Sequence, residues 1–190
     1  VVTQTFLTRE QVELMKEELI KNKDLQLLTY AMFSLSTMAR VNAVSNLRWQ
    51  QLDLDLRVAN DVLEKEGELV TLFFNDYTKE LLEKLKEERK KKGIECEYVF
   101  CSKYNGVYDK VTNGTMSNNW CGKIGRMINV PTLHAHDFRH SMATILKNEG
   151  MDLEEVSQLL NHKSTDVTLK HYIAIDKKKV QANKDKFDIF

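Results

Sequence analysis

Apolar positions in the first quarter of the chain recur at helical spacing. Thr8 and Gln11 form a capping-box pattern directly before an amphipathic segment at 12–20. The segment 25–38 is mostly apolar, which predicts a buried central helix, and the pattern at 41–47 predicts a short helix after it. The chain is therefore expected to begin with a helical layer.

After residue 50 the apolar residues change from helical spacing to strand-like alternation. Apolar and polar residues alternate at 58–63 and at 69–74, which predicts two strands. The segment 64–68 between them is short and charged, and Gly67 stands where a hairpin turn needs a positive φ. Residues 52–56 alternate as well and predict a third, short strand. The pattern thus indicates a small antiparallel sheet inside a helical protein.

The rest of the chain returns to helical spacing. Glu97 to Cys101 is expected to form a short extended piece, and Gly150 is expected to stop a helix. Further helices are predicted at 76–92, 115–128, 136–146, 152–160 and 165–172. The Lys/Glu run of 76–92 is most simply a solvated helix face. The predicted fold class is α+β, mainly helical, with a small three-stranded antiparallel sheet.

Composition limits the classes of protein only loosely. The chain has 190 residues, enough for one domain with a real core. Its 28 basic and 28 acidic side chains balance, so any nucleic-acid surface must come from a local basic patch. The first residue is Val1, so we expect that an N-terminal part of the protein precedes this chain.

The cysteines indicate a reducing compartment. Cys96, Cys101 and Cys121 give an odd number, and there is no signal peptide or transmembrane run. They are expected to be reduced thiols of a cytoplasmic protein. The spacing between Cys96 and Cys101 is a poor one for a metal site.

All five histidines lie between 134 and 171, together with an arginine and a late tyrosine. His136 and Arg139 are three residues apart and would share one helix face. His162 follows the next predicted helix, and Tyr172 ends the last one. Guanidinium can hold a phosphodiester in a bidentate manner, imidazole can move protons, and a tyrosine can form a covalent ester. The combination indicates a reactive site for a phosphodiester, although each member alone would more simply be a packing or surface residue.

Five sequence elements resemble the catalytic domain of the tyrosine recombinases, or phage-type integrases, over essentially the whole chain. They are the arginine box at Met38-Ala-Arg40, the hairpin Lys65-Glu66-Gly67, the box His136-Asp-Phe-Arg139-His140, Leu160-Asn161-His162, and Tyr172. Their order and spacing match the family.

The resemblance implies roles for six residues. Arg40, Arg139 and His162 would bind the non-bridging oxygens of the scissile phosphate, so no metal or other cofactor is required. Tyr172 would attack phosphorus and leave a 3′-phosphotyrosine and a free 5′-hydroxyl. His136 would be the general base and Lys65 the general acid.

Two positions depart from the family pattern. Many members have Glu three residues after the first arginine, where this chain has Ala43, so the surroundings of Arg40 must differ. Asn161 replaces a usual Gly before His162, and Asn can supply the left-handed backbone there instead. The remaining histidines are interpreted as structural or supporting residues. These are His134, His140 and His171.

Within the family, the chain is most similar to Xer-type recombinases, above all the single-recombinase systems of epsilonproteobacteria. That resemblance implies chromosome dimer resolution on double-stranded DNA at a specific site, by a homo-tetramer on two paired sites, with a DNA translocase of the division septum as a further partner. Residues 1–190 would be the catalytic domain, with a C-terminal tail helix at 176–190 that either docks in trans or folds back onto its own domain, and an N-terminal core-binding domain would be absent from this chain. A mobile-element or phage integrase would carry the same boxes.

Two other classes remain as alternatives. In a metal-dependent phosphohydrolase, His134, His136 and Asp137 would be ligands, joined by His140 and His162. In a DNA-binding module without catalysis, the same residues would serve binding alone. Chelator-resistant activity would exclude the first class, and a covalent DNA–protein adduct would exclude the second.

Overall fold

The computed structural model describes residues 6–148 and 150, which form a mainly helical α+β fold around one hydrophobic core. In chain order the elements are α1 (Arg9–Lys21), α2 (Leu25–Thr37), α3 (Val41–Asn46), a 3₁₀ turn (Trp49–Gln51), β1 (Leu52–Asp53), β2 (Val58–Lys65), β3 (Glu68–Phe73), α4 (Asp76–Lys91), β4 (Cys101–Tyr104), β5 (Val107–Lys110), a π-helical segment (Thr115–Trp120), α5 (Cys121–Met127) and α6 (Ala135–Asn148). The predicted fold class is confirmed. The predicted helices at 152–160 and 165–172 and the tail at 176–190 lie outside the described residues.

Local sequence explains how the helical layer begins. The Thr8 hydroxyl accepts from the Gln11 N–H at 3.2 Å, and the Gln11 side chain accepts from the Thr8 N–H at 2.8 Å, which completes the predicted capping box. Helix α2 is buried from Leu27 to Thr37 and packs against α1, α4 and α6. Because α2 is enclosed on all sides, it is the central helix that its apolar sequence predicts.

The sheet has the order β1-β2-β3, and every neighbouring pair is antiparallel. Its turn is shorter than predicted, since β2 extends through Lys65 and β3 begins at Glu68. Gly67 has φ 75°, so the positive φ expected of it is confirmed. The third strand is also present, shortened to two residues.

Two local features were not predicted. The hairpin β4–β5 has a largely exposed surface, with Tyr104 77% and Val107 65% exposed, so burial imposes no apolar alternation on it. The predicted helix at 115–128 divides into the π-helical Thr115–Trp120 and the α-helical Cys121–Met127. Single-residue patterning does not distinguish those two windings.

Helix α6 is fixed to the core and to the start of the chain. Phe138 is fully buried, and its ring packs edge-to-face against Tyr30 of α2 at a centroid distance of 5.8 Å. The Leu7 N–H donates to the Ser141 hydroxyl at 2.8 Å, across 134 residues of sequence. These contacts set the position of the segment that carries His136 and Arg139.

No helix in the described part of the chain combines the length and the hydropathy needed to cross a bilayer.

Candidate active site

The C-terminal end of α2 shapes the first part of the site. Met38 ends this helix with φ 55°, in the left-handed region, and its N–H donates to the Ser34 carbonyl. The chain then becomes extended at Arg40, which precedes α3. A left-handed residue other than Gly or Asn is uncommon, and such residues concentrate at functional sites. This bend presents the Arg40 side chain beside the central helix, with about a third of it exposed (35%).

Arg139 comes to the same place from α6. Its Nη1 donates to the Met38 carbonyl oxygen at 2.9 Å, which pairs an orphan carbonyl at the end of α2. Burial lowers the pKa of Arg139 and the charge of Arg40 lowers it further, while Glu64 acts in the opposite direction. A guanidinium keeps its proton in proteins, so two positive charges meet in a half-buried position.

A carboxylate from the sheet completes this cluster. Glu64 Oε1 lies 3.2 Å from Arg40 Nη1, and Glu64 is only 5% exposed. The sequence pattern predicts a hairpin turn at Glu64 and indicates no role for it. Its signal was the strand alternation itself, because Val62 and Glu64 occupy the same inward phase of β2.

His136 lies one helical turn before Arg139 and is exposed to solvent. The ring packs edge-to-face against His140 at a centroid distance of 4.6 Å. The pKa of His136 is lowered, first by partial burial and then by the charge of His140. The charges of Arg139, His134 and Arg40 act in the same direction. A neutral imidazole beside the arginine pair can accept a proton at neutral pH.

Asp137, the residue after His136, stabilises the N-terminal end of α6. Asp137 is 1% exposed, and its Oδ2 accepts from the His134 N–H at 2.9 Å and lies 2.8 Å from His134 Nδ1. The carboxylate therefore satisfies a backbone donor at the start of α6. Within residues 6–148 and 150, no three His, Cys, Asp or Glu side chains are grouped to hold a metal ion. The metal-ligand set considered from the sequence does not assemble among these residues, and its remaining candidate, His162, lies outside them.

Lys65 lies at the tip of the β2–β3 hairpin. It pairs with Glu68 across the hairpin and is exposed, as the outward phase of β2 requires. Its neighbour Glu64 points inward to Arg40, so the hairpin that carries the lysine is joined to the arginine cluster through one residue. His162 and Tyr172 lie outside the described residues.

The described part of the site can therefore bind an anion. Arg40, Arg139 and His136 come together from elements that are about 100 residues apart in sequence, and Lys65 stands on the adjoining hairpin. Two guanidinium groups can offer several N–H donors to the oxygens of a phosphate, and a half-buried position strengthens each contact.

Comparison with known proteins gives relatives of two kinds. A probable integrase/recombinase of Acholeplasma phage L2 is 22% identical over 160 residues, which cover 83% of this chain and 53% of the relative. The tyrosine recombinase XerC of Oceanobacillus iheyensis is 29% identical over 138 residues, 70% of this chain and 44% of the relative. The chain thus spans about half the length of these curated relatives.

Solved structures share the fold. A crystal structure of XerA recombinase superposes with a TM-score of 0.71 at 16% identity, over 93% of this chain and 66% of that one. XerH site-specific recombinase bound to a palindromic difH substrate gives a TM-score of 0.64 at 20% identity, over 97% of this chain and 53% of that one. At these identities the likeness establishes the fold alone.

A family model matches the chain as well. The model described as the phage integrase family matches residues 5–179, nearly the whole chain. This match agrees with the architecture and with the two arginines, one immediately before α3 and the other within α6. The chain belongs to the phage integrase family.

Proposed function

We propose that this chain is the catalytic part of a tyrosine site-specific recombinase, which cleaves and rejoins double-stranded DNA through a 3′-phosphotyrosine. The observation that carries the proposal is the convergence of Arg40 and Arg139. Arg139 is fixed by a backbone carbonyl and Arg40 by a buried carboxylate. Donors fixed before the reaction can stabilise charge that develops on the non-bridging oxygens of a phosphate.

The chemical steps follow from the side chains. Tyr172 attacks phosphorus, the bond to the 5′-oxygen breaks, and the 5′-hydroxyl leaves. A free tyrosine has a pKa of about 10, so its proton must be removed during attack, and His136 accepts it. Lys65 gives a proton to the departing 5′-oxygen. The phosphotyrosine ester conserves the bond energy, so a new 5′-hydroxyl can reverse the steps without ATP.

Three binding groups act on the same phosphate. Arg40 and Arg139 bind its non-bridging oxygens, and His162 adds a third donor. In this role the guanidinium groups supply the positive charge that a bound Mg²⁺ supplies in many other phosphoryl-transfer sites. Neither a metal nor another cofactor enters the steps above.

The biological role proposed is Xer-type chromosome dimer resolution in the cytoplasm. The support is the similarity to XerC and XerA recombinases. The finer assignment, to the single-recombinase systems of epsilonproteobacteria, comes from the sequence resemblance alone. The phage relative supports a second candidate, a mobile-element integrase with the same chemistry.

The partners are proposed on the same basis. The structural relatives include recombinases in complex with their DNA sites, and we extend double-stranded DNA at a specific site to this chain. A homo-tetramer on two paired sites, with the tail 176–190 docked in trans, would coordinate the tyrosines. A septal DNA translocase is a further proposed partner. Residues 1–190 would act with an N-terminal core-binding domain.

A suicide substrate tests the chemistry directly. A nicked duplex loses the short fragment after cleavage, so a covalent protein–DNA adduct accumulates and can be seen on a denaturing gel. The full-length protein would be tested on a panel of chromosomal candidate sites and phage-type attachment sites. We expect an adduct with the wild type, resistant to chelators, and none with Tyr172→Phe. An adduct that persists in Tyr172→Phe would contradict the assignment of the nucleophile, and chelator-sensitive hydrolysis without an adduct would contradict the proposed function.

A further inference from the structure

The position that usually supports the first arginine of this family holds no acid in this chain. Ala43 stands three residues after Arg40, on α3, and it is fully buried. An arginine side chain has several rotatable bonds, and an unsupported guanidinium would lose entropy on binding a phosphate. Arg40 therefore needs a different support.

The sheet supplies that support through an irregularity in β2. Leu63 pairs with Leu69 and Lys65 pairs with Glu68, so two steps along β2 correspond to one step along β3. The extra residue is Glu64. A bulge of this kind leaves its extra residue unpaired, disrupts the ladder locally and can redirect a side chain. Here it coincides with Glu64 pointing inward to Arg40 while Lys65 stays exposed.

A second contact holds the same strand against α3. The Asn46 side-chain amide donates to the Leu63 carbonyl at 2.9 Å, one residue before Glu64. Asn46 is the last residue of α3 and Arg40 immediately precedes its first. The hairpin is thus attached to both ends of this helix, which fixes how far Glu64 can move.

The charges also fit a positioning role. Glu64 is a buried carboxylate in contact with Arg40, and it opposes the effect that Arg40 has on Arg139. Arg139 has its own independent support in the Met38 carbonyl. One carboxylate therefore offsets the repulsion between two guanidinium groups and orients one of them.

We propose that Glu64 is the positioning residue for Arg40, replacing from the β2 bulge the acid that the helix position Ala43 lacks, and that it thereby links the lysine hairpin to the arginine pair. The proposal rests on the proposed function, since positioning matters for cleavage only if Arg40 binds the scissile phosphate. It assigns Glu64 no contact with DNA and no proton transfer.

The first test needs no DNA. Side-chain nitrogen NMR of the full-length protein measures how freely each guanidinium group rotates, because a group held by a carboxylate exchanges its Nη signals slowly. We expect slow rotation for Arg40 and Arg139 in the wild type. In Glu64→Gln, which keeps the shape and removes the charge, Arg40 should rotate freely while Arg139 stays restrained. Free rotation of Arg40 in the wild type, or unchanged rotation in the variant, would overturn the proposal whatever reaction the protein performs.

The second test separates positioning from simple charge. Glu66→Gln removes one acid two residues away, in the exposed turn, and is the matched control. Removal of either acid lowers the repulsion of DNA, so neither variant should bind the site more weakly. The single-turnover cleavage rate should fall about 10–100-fold in Glu64→Gln only, by analogy with residues that orient the ligands of metal centres. Equal rates in the two variants would show that Glu64 does not position Arg40.

The two proposals can fail separately. If the wild type forms no adduct, the proposed function fails, and the NMR measurement still decides whether Glu64 holds Arg40. If the wild type forms the adduct and Glu64→Gln cleaves as fast as Glu66→Gln, only the role of Glu64 fails. Far-UV circular dichroism identifies a variant that does not fold, and the wild-type NMR measurement then decides alone.

Discussion

Arg139 Nη1 donates to the carbonyl oxygen of Met38 at 2.9 Å, across 101 residues of sequence. The carbonyl is available because Met38 takes a left-handed conformation at the end of α2, and the same bend presents Arg40. The end of one buried helix thus fixes one arginine through its backbone and delivers the other two residues later. This arrangement makes the geometry of the pair depend on the core more than on the surface.

Arg139→Lys should be severely impaired although the charge is kept. A lysine ammonium is a point donor and cannot both hold the Met38 carbonyl and give a bidentate contact to phosphate. Loss of one oxyanion donor costs about 10²–10³ in rate, and we expect a decrease of that size in single-turnover cleavage. Arg126→Lys, at an exposed position of α5, is the control and should cleave like the wild type. A wild-type rate in Arg139→Lys would exclude a bidentate role.

Lys65→Ala should lose the proton donor for the leaving group. We expect cleavage of the normal phosphodiester to slow by about 10²–10⁴, the usual contribution of a general acid. A substrate with sulfur at the 5′-bridging position should restore the rate, because a thiolate leaves without protonation. Arg139→Ala is the control, since this substrate should not rescue a lost phosphate donor. Failure to rescue Lys65→Ala would remove the lysine from the general-acid role.

The pH dependence of cleavage should report on His136. Its pKa lies below the ordinary value, so the neutral ring persists as the pH falls, and the rate should decline only when the pH passes through that lowered pKa. His140→Gln removes an imidazole that lowers the pKa of His136, so this pKa rises and the decline should move to higher pH. The measurement is a pH profile of single-turnover cleavage. An identical profile in His140→Gln and the wild type would show that another group controls the rate.

Gly125→Ala should destabilise the domain that holds the site. A Cβ at Gly125 would collide with the Val130 carbonyl oxygen and press on Leu133 Cβ at 3.1 Å, in the loop that leads to α6. Such overpacking costs about 1–3 kcal/mol of unfolding free energy, which urea denaturation measures. Gly122→Ala in the same helix meets only the flexible end of Arg126 at 3.4 Å and should be neutral or stabilising. Equal stability of the two variants would contradict the close approach at Gly125.

The sequence determined the local elements and the chemical types of the candidate residues. Period and capping alone predicted α1 and the central helix α2, because a capping box and an apolar run act within one segment. The positive φ of Gly67 also followed from local turn chemistry. The family boxes selected Arg40, Lys65 and Arg139 as candidates before any contact was known, and their catalytic roles remain proposals.

The surroundings of those residues depend on how the elements pack together. Glu64 was predicted to lie in a turn, yet it belongs to β2 and is buried against Arg40, and no single-segment pattern encodes a partner on another element. The hydrogen bond from Arg139 to the Met38 carbonyl could not be predicted from the sequence either. It depends on a backbone angle at Met38 and on a helix residue 101 positions away. The β4–β5 hairpin was missed because its exposed faces carry no hydrophobic alternation. Local patterns specify elements, whereas the support of a charged site comes from burial and non-local contacts, which arise only when the elements pack together.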